Sequence, residues 1–311
     1  MIECPACGGT TATAEEILRT PVSAGEVDLR CALVRCSDCR HVYLNPQPEA
    51  RELTPFYDGS YHVFDNDPKT PDEIDRLLAS QFDGARLNHT AFVPNGRFLD
   101  VGCGLGDMVA LMQRAGMDAR GIDPSPRAVE IAREAGRNVE LGYLLDRRYP
   151  DAEFDSISMY HSLEHTPQPL AVLRECARIL RPGGELTIAV PNIEALNARL
   201  FGRQWNHLSL PHHLQHFTKR TLVLVAERSG LSCTGIVTES LVWSVEGDLC
   251  RWFSHNLRFP YRISERLHLF QPAARYLVRR AERADQGDAI VAHFRTAPGG
   301  PLSARDAPAD A

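Results

Sequence analysis

Two pairs of cysteines, two groups of histidines and a run of glycines set among carboxylates are the residues of this 311-residue chain whose spacing suits chemistry. Cys4 with Cys7 (CPAC) and Cys36 with Cys39 (CSDC) stand 28 residues apart. A CxxC turn puts two thiolates on one side of a tight knuckle, and two facing knuckles make the tetrahedral sulfur cage that zinc accepts. The expectation is a structural Zn2+ on Cys4, Cys7, Cys36 and Cys39, closed to substrate and stabilising a lobe too small for its own core. Unliganded cysteines are the alternative. A redox pair fits less well, because no βαβ pattern surrounds either knuckle. Cys31 is a spare thiol without a partner at that spacing.

The first histidine group is YHSLEH, residues 160–165, with His161, Glu164 and His165. The second is FGRQWNHLSLPHHLQHFTKRTL, residues 201–222, with His207, His212, His213 and His216. His161 or His165, and His212 or His213, are candidate proton acceptors. The alternative in each case is a histidine that only orders its loop. If the second segment is helical, His212 and His216 share a face and could form a metal pair, although no HExxH partner accompanies them. Trp205 and Trp243 are either pocket walls or core.

These groups need a scaffold, and one begins at Gly96. Short apolar runs alternate with helical segments from there on, the pattern of a parallel sheet. RFLDV is its first strand, DARGIDP the second, NVELG the third, EFDSISMY the fourth and ELTIAVP the fifth. After the first strand, Gly102, Cys103, Gly104, Leu105 and Gly106 bring backbone close to a ligand. Asp123, ending the second strand, can accept from a ribose diol. The loop lacks GxGxxG spacing and begins with Asp100, a carboxylate that repels a pyrophosphate but suits an ammonium.

LDVGCGLGD (99–107), GIDPSPRAVEIAR (121–133), YPDAEFDSISMYHSLEHTPQP (149–169) and ARILRPGGELTIAVPN (177–192) together resemble the class I S-adenosylmethionine (SAM) dependent methyltransferase family. The resemblance covers about residues 96–239. It implies an α/β, Rossmann-like sheet with SAM as cofactor, Gly102 and Gly104 lining its methionine part, Asp123 on the ribose and Asp100 near the amino group. Cys103, Pro124 and Tyr160 belong to the same expected site. Many relatives carry an acidic residue for the adenine amino group where this chain has Tyr143. Adenine is therefore expected on the backbone of Leu144 and the apolar side chain of Leu144 or Leu145, with Tyr143 against the ring. The FTKRTLVLVAERSGL segment is similar to small-molecule methyltransferases, and the cysteine-rich front is similar to bacterial enzymes acting on sugars and secondary metabolites.

The expected layout is a zinc module at 1–45 and a linker with lid helices at 46–95. The core spans 96–239 with a substrate loop at 192–217, followed by a helical insertion at 240–287, a last strand at 288–297 and a disordered tail at 298–311. A helix is expected over about 72–88, and the aromatic stretch 56–62 is either a lid or a linker. The two final strands, 230–240 and 288–297, are expected to form a hairpin. A net charge of -6 argues against a nucleic-acid partner, and no apolar run is long enough for a membrane span. The N-terminus has no secretory pattern, so a cytoplasmic enzyme is expected. The insertion could cover the pocket or make a homodimer surface. The histidine supply favours a small-molecule hydroxyl as methyl acceptor. N- or C-methylation, an RNA methyltransferase guided by the zinc module, and a non-catalytic SAM binder remain the alternatives.

Overall fold

The computed structural model describes residues 3–14, 22–24, 27–29, 31–48, 67–81, 86–258 and 260–297. The aromatic stretch 56–62 and the tail 298–311 lie outside the described residues. The strands are β1 (Ala12–Ala14), β2 (Val22–Ala24), β3 (Val27–Leu29), β4 (Ala32–Cys36), β5 (Val42–Asn45), β6 (Arg86–Leu87), β7 (Thr90–Ala91) and β8 (Arg97–Val101). They continue with β9 (Asp118–Asp123), β10 (Val139–Leu141), β11 (Phe154–Tyr160), β12 (Leu180–Pro191), β13 (Gln215–His216), β14 (Leu231–Glu239) and β15 (Ala289–Thr296). The helices are α1 (Pro71–Gln81), α2 (Asp107–Arg114), α3 (Pro126–Glu134), α4 (Pro169–Ile179), α5 (Leu196–Phe201), α6 (Lys219–Arg228), α7 (Val242–Leu257), α8 (Tyr261–Arg266) and α9 (Gln271–Arg283).

Side-chain alternation along the central strands divides the apolar core into two layers. Phe98 packs with Met112, Ala119, Val129 and Ala132 on the α2–α3 face. Its neighbour Leu99 packs with Ile157, Leu173, Leu186 and Val225 on the α4–α6 face. The sheet order is β10-β9-β8-β11-β12-β15-β14. Its first five strands are parallel, and β15 is antiparallel to both β12 and β14. This is the Rossmann-like class I methyltransferase fold. The order in which strands are added reverses at β8, with β9 and β10 on one side and β11 and β12 on the other, so the carboxyl ends of β8, β9 and β11 open one crevice.

Several local expectations change in detail. The helix expected to run to about residue 88 is described only from Pro71 to Gln81, and Arg86 and Leu87 pair with Ala91 and Thr90 instead. Its start is set by a capping box: Thr70 Oγ1 accepts from Glu73 N, and Glu73 accepts from Thr70 N. α4 ends at Ile179, because Pro182 cannot continue a helix, and Leu180 already pairs with Phe154. The last two strands do pair, from Leu231 against Thr296 to Glu239 against Ala289.

A second, four-stranded sheet has the order β1-β4-β5-β13, so a strand from the histidine-rich loop completes the cysteine-bearing module. Its Leu33, Val42 and Leu44 share an apolar cluster with Trp205 and Leu208, with Val245 and Leu249 of α7, and with Ala274 and Val278 of α9. Trp205 is thus core, whereas Trp243 is 67% exposed. Asp288 ties the insertion to β15. Its carboxylate accepts from Asn197, Trp205 Nε1 and Ser240, at 2.8, 3.0 and 2.8 Å. Asp288→Ala leaves two buried donors, Asn197 and Trp205, and the half-buried Ser240 unmatched. The expected loss is about 3 kcal/mol or more, read as a lowered denaturant midpoint with an unchanged slope.

Candidate active site

The glycine loop is shaped by close approach. Gly102, Gly104 and Gly106 have φ of 76°, 53° and 75°, values that favour glycine. A β-carbon on Gly102 would lie 2.4 Å from that of Ser162. The loop is pinned to β9 by Gly102 N and Cys103 N, which both donate to the Ile122 carbonyl. The Cys103 side chain lies against Gly121, where an added β-carbon would meet its sulfur at 2.5 Å. Arg137 braces the far side, donating to the Leu105 and Lys69 carbonyls and pairing with Asp107 at 2.7 Å.

Two carboxylates flank this loop. Asp123 accepts from Gly104 N and Ser125 N, each at 2.8 Å and each on a different oxygen. A carboxylate oxygen can accept twice, so each keeps capacity for a hydroxyl. Asp100 accepts from Ser158 Oγ at 2.6 Å, across the register that sets Ser158 beside it. Burial raises the Asp100 carboxyl to about 7 against the hydrogen bond from Ser158, with the charge of Asp123 adding to the rise. Asp123 is also raised by burial, though its two backbone donors oppose the rise.

At the other rim Gly142 N donates to the Asp123 carbonyl at 2.9 Å. Leu144 is buried at 4% exposure, while Tyr143 and Leu145 are exposed. Pro124 follows Asp123 directly and stands exposed before Ser125, the N-cap of α3. Tyr160, at the end of β11, donates to the Asn88 carbonyl and lies 3.3 Å from Thr90 Oγ1, which fixes it to the β6–β7 hairpin.

The two histidine groups meet beside this cradle. His161 has φ of 49° and donates its backbone N–H to the Ala189 carbonyl. Its ring stacks on His207 at 5.9 Å, and its Nδ1 lies 3.3 Å from Glu164. The groups packed around the half-exposed His161 ring disfavour its protonation, and the adjacent Glu164 carboxylate more than offsets this, leaving the imidazole above its ordinary value. Glu164 is fully buried, and among the described residues neither of its oxygens has an aligned hydrogen-bond partner. His165 Nδ1 contacts the His212 carbonyl, and His213 Nδ1 the His207 carbonyl, both at 2.9 Å. Each contact makes Nδ1 the donor and leaves Nε2 with its lone pair. Burial lowers both rings below the ordinary imidazole value. The His165 and His213 rings meet edge to face at 4.7 Å.

Glu164, His165 and His213 therefore bring ligand atoms within 4.8 Å of one another, a set able to hold a divalent cation. The suggested His212–His216 pair does not form on a helix. His216 lies in β13, because the segment is drawn into the cysteine module's sheet instead of coiling. Sequence reasoning passed over Ser158, Ser162, Arg137 and Gln215. A polar residue inside the apolar strand FDSISMY was the available signal for Ser158.

In the module, Cys4 and Cys39 sulfurs are 3.6 Å apart, as are those of Cys7 and Cys36, and all four lie within 4.8 Å of one another. These separations are too long for disulfides and suit the edges of a tetrahedron around a cation with bonds of about 2.3 Å. The Cys4–Cys39 contact raises the Cys4 thiol and lowers the Cys39 thiol, so this pair shares one proton, while burial holds the Cys7 thiol up.

Gly102→Ala is expected to lower stability by about 1–3 kcal/mol through overpacking and positive-φ strain. Because Ser162→Gly removes the clash but also the Ser162 Oγ–Val101 hydrogen bond, Gly102→Ala should cost less in a Ser162→Gly background than in the unmodified chain. Thermal melts of the unmodified chain, both single variants and the double variant check this, and an equal cost in both backgrounds would contradict it.

A methyltransferase-domain family model matches residues 65–235, more than half of the chain. The chain is 34% identical over 151 residues to the ubiquinone biosynthesis O-methyltransferase of Xanthomonas campestris pv. campestris, covering 43% of this chain and 62% of that protein. It is 35% identical over 137 residues to the enzyme of the same name from Xanthomonas oryzae pv. oryzae, covering 40% and 56%. The match spans less than two thirds of these relatives. A solved chain from the Haloferax volcanii complex of the Trm112 methyltransferase activator with a methyltransferase shares the fold, with a TM-score of 0.50 at 18% identity over 73% of this chain and 92% of that one. With the motif order, the sheet order and the family match in agreement, the chain belongs to the methyltransferase-domain family and has its class I fold.

Proposed function

We propose that this chain transfers the methyl group of S-adenosylmethionine to a hydroxyl oxygen of a small molecule, with His161 as proton acceptor and a structural zinc on Cys4, Cys7, Cys36 and Cys39. One observation carries the reading. The loop after β11 packs Ser162 directly on Gly102, with Ser162 Oγ donating to the Val101 carbonyl at 2.8 Å, so the histidine–glutamate group adjoins the glycine–carboxylate cradle. The relatives named as O-methyltransferases support the choice of oxygen.

Bound S-adenosylmethionine supplies a methyl group already activated on a sulfonium. The chain's part is then to hold, align and deprotonate. Asp123 keeps acceptor capacity for ribose hydroxyls, Gly102 and Gly104 allow close backbone approach, and Asp100 offers a counter-charge to an ammonium. Tyr143 and Leu145 are exposed beside the cradle and supply apolar surface for an adenine ring. Among the candidate bases His161 has the most accessible ring, its side chain being 46% exposed. Glu164 steadies the imidazolium that forms when His161 takes the acceptor's proton. His165, half-buried, and His213, buried, both lie below the ordinary imidazole value and shape the wall behind it, and the His212 carbonyl fixes His165.

The test is transfer of 13C-methyl from S-adenosylmethionine into a cell extract separated into RNA, protein and small-molecule pools. The expected outcome is label in the small-molecule pool with a methoxy resonance. Asp123→Ala should abolish it, and His161→Gln should slow it by about 10²–10⁴-fold without changing cofactor affinity. Label in RNA, or an N- or C-methyl resonance, would overturn the acceptor assignment.

Cofactor affinity should also depend on pH through Asp100. Burial pushes its carboxyl up to about 7, against 3.8 for a free aspartate. Below that value it is neutral and loses its attraction for an ammonium, so affinity falls as pH drops, by at most about tenfold per unit for one proton. Asp100→Asn should flatten that dependence in calorimetric titrations. The ligand-free fold has the opposite sign. Ionised Asp100 is unfavourable there, so this group's contribution to stability grows as pH falls from about 7 towards 3.8.

A further inference from the structure

We infer that the cysteine module positions the histidine loop, and that His41 and Gln215 are the residues through which it acts. The inference rests on the reading of that loop as the acceptor side of the site.

β13 is two residues long and, among the described residues, pairs only with β5 of the module, Gln215 against Tyr43 and His216 against Val42. An isolated pairing of that length has little stability of its own. One residue earlier, Leu214 is bonded along both edges. Its carbonyl accepts from Leu44 N of the module, and its N–H donates to the Glu164 carbonyl, both at 2.9 Å.

The Gln215 side chain repeats the bridge. Its Nε2 donates to the Thr166 carbonyl at 3.1 Å, which leaves Oε1 to accept from His41 Nε2 at 3.0 Å. These links fall on residues 214 and 215 on one side and 164 and 166 on the other. They bracket His213 and His165, whose rings are in contact.

His41 is held in turn by the second cysteine knuckle. It follows Cys39 by two residues, and its carbonyl accepts from Cys36 N at 2.9 Å. The ring is fully buried and packs on Phe217 at 5.0 Å and Tyr43 at 6.1 Å. The path therefore runs from the knuckle through His41 and Gln215 to Thr166, beside the histidine–glutamate group. A cation that closes the cage would fix the knuckle, and with it the relation of His213 to Glu164, now 3.9 Å from Nε2 to carboxylate.

The test is amide hydrogen exchange on the full chain, with S-adenosylmethionine affinity measured alongside. His41→Leu keeps the bulk and removes the donor. His41→Gln keeps a donor that can reach Gln215. In His41→Leu, exchange should quicken by about tenfold in residues 160–167 and 206–218, with β8, β9 and cofactor affinity unchanged. His41→Gln should restore most of the protection, and zinc chelation of the unmodified chain should reproduce the His41→Leu pattern. Quickening spread evenly over the fold, no quickening in either segment, or no rescue by His41→Gln would each overturn the inference. Absence of S-adenosylmethionine binding would instead remove the functional reading, while the exchange result would still decide whether the module holds the loop.

Discussion

Buried negative charge is the constraint around which the site is organised. Asp100, Asp123 and Glu164 are 4%, 8% and 0% exposed at the carboxyl ends of adjacent strands or just beyond them. Removing carboxylates from water is costly unless they are paired or hydrogen-bonded. Asp123 is offset by two backbone donors and Asp100 by one serine, while Glu164 has only nearby imidazoles. A cradle of this kind favours a ligand that arrives with positive charge. The sulfonium and ammonium of S-adenosylmethionine meet that description, whereas a pyrophosphate does not.

The surrounding elements keep these acids dry and fixed. The left-handed glycines let the β8–α2 loop pass close under Ser162, which joins the cradle to the loop after β11. That loop is covered by residues 206–217, which are themselves held between the cysteine module and the insertion helices. The module contributes Leu33, Val42 and Leu44 to the same apolar cluster as α5, α7 and α9, so it is packed into the catalytic half of the molecule. Among the described residues no helix is long and apolar enough to cross a membrane.

Two acids of the insertion are internal, while the charges along α9 face solvent. Glu246 and Asp248 are buried, with Arg251 bonded to Asp248 at 2.7 Å and His268 3.1 Å from Glu246. Those acids therefore serve packing of α7 against its neighbours. Asp248 also accepts from Asn206 N at 2.7 Å, so even this interior pair reaches the start of the histidine loop. The rigidity of that loop comes from several directions, each through a buried polar contact.

What the sequence by itself determined is local. Alternating apolar runs and helical periods specified the parallel strands and the helices beside them, since each buries a face set by its own repeat. The glycine spacing marked a close approach, and the CxxC spacing marked two knuckles, because both depend on backbone geometry over a few residues. Only the tertiary structure decided which distant residues meet. The segment around His212 to His216 carried a plausible helical repeat and became a strand, because β5 offered it an edge. Glu164 stood in the sequence only as the neighbour of His161 and His165, and the fold buries it fully between two histidine groups. Tyr143, expected against an adenine ring, is left exposed at the rim by the fold. Such outcomes depend on contacts between residues tens of positions apart, whose pairing is set by burial of the whole chain and has no periodic trace in the sequence.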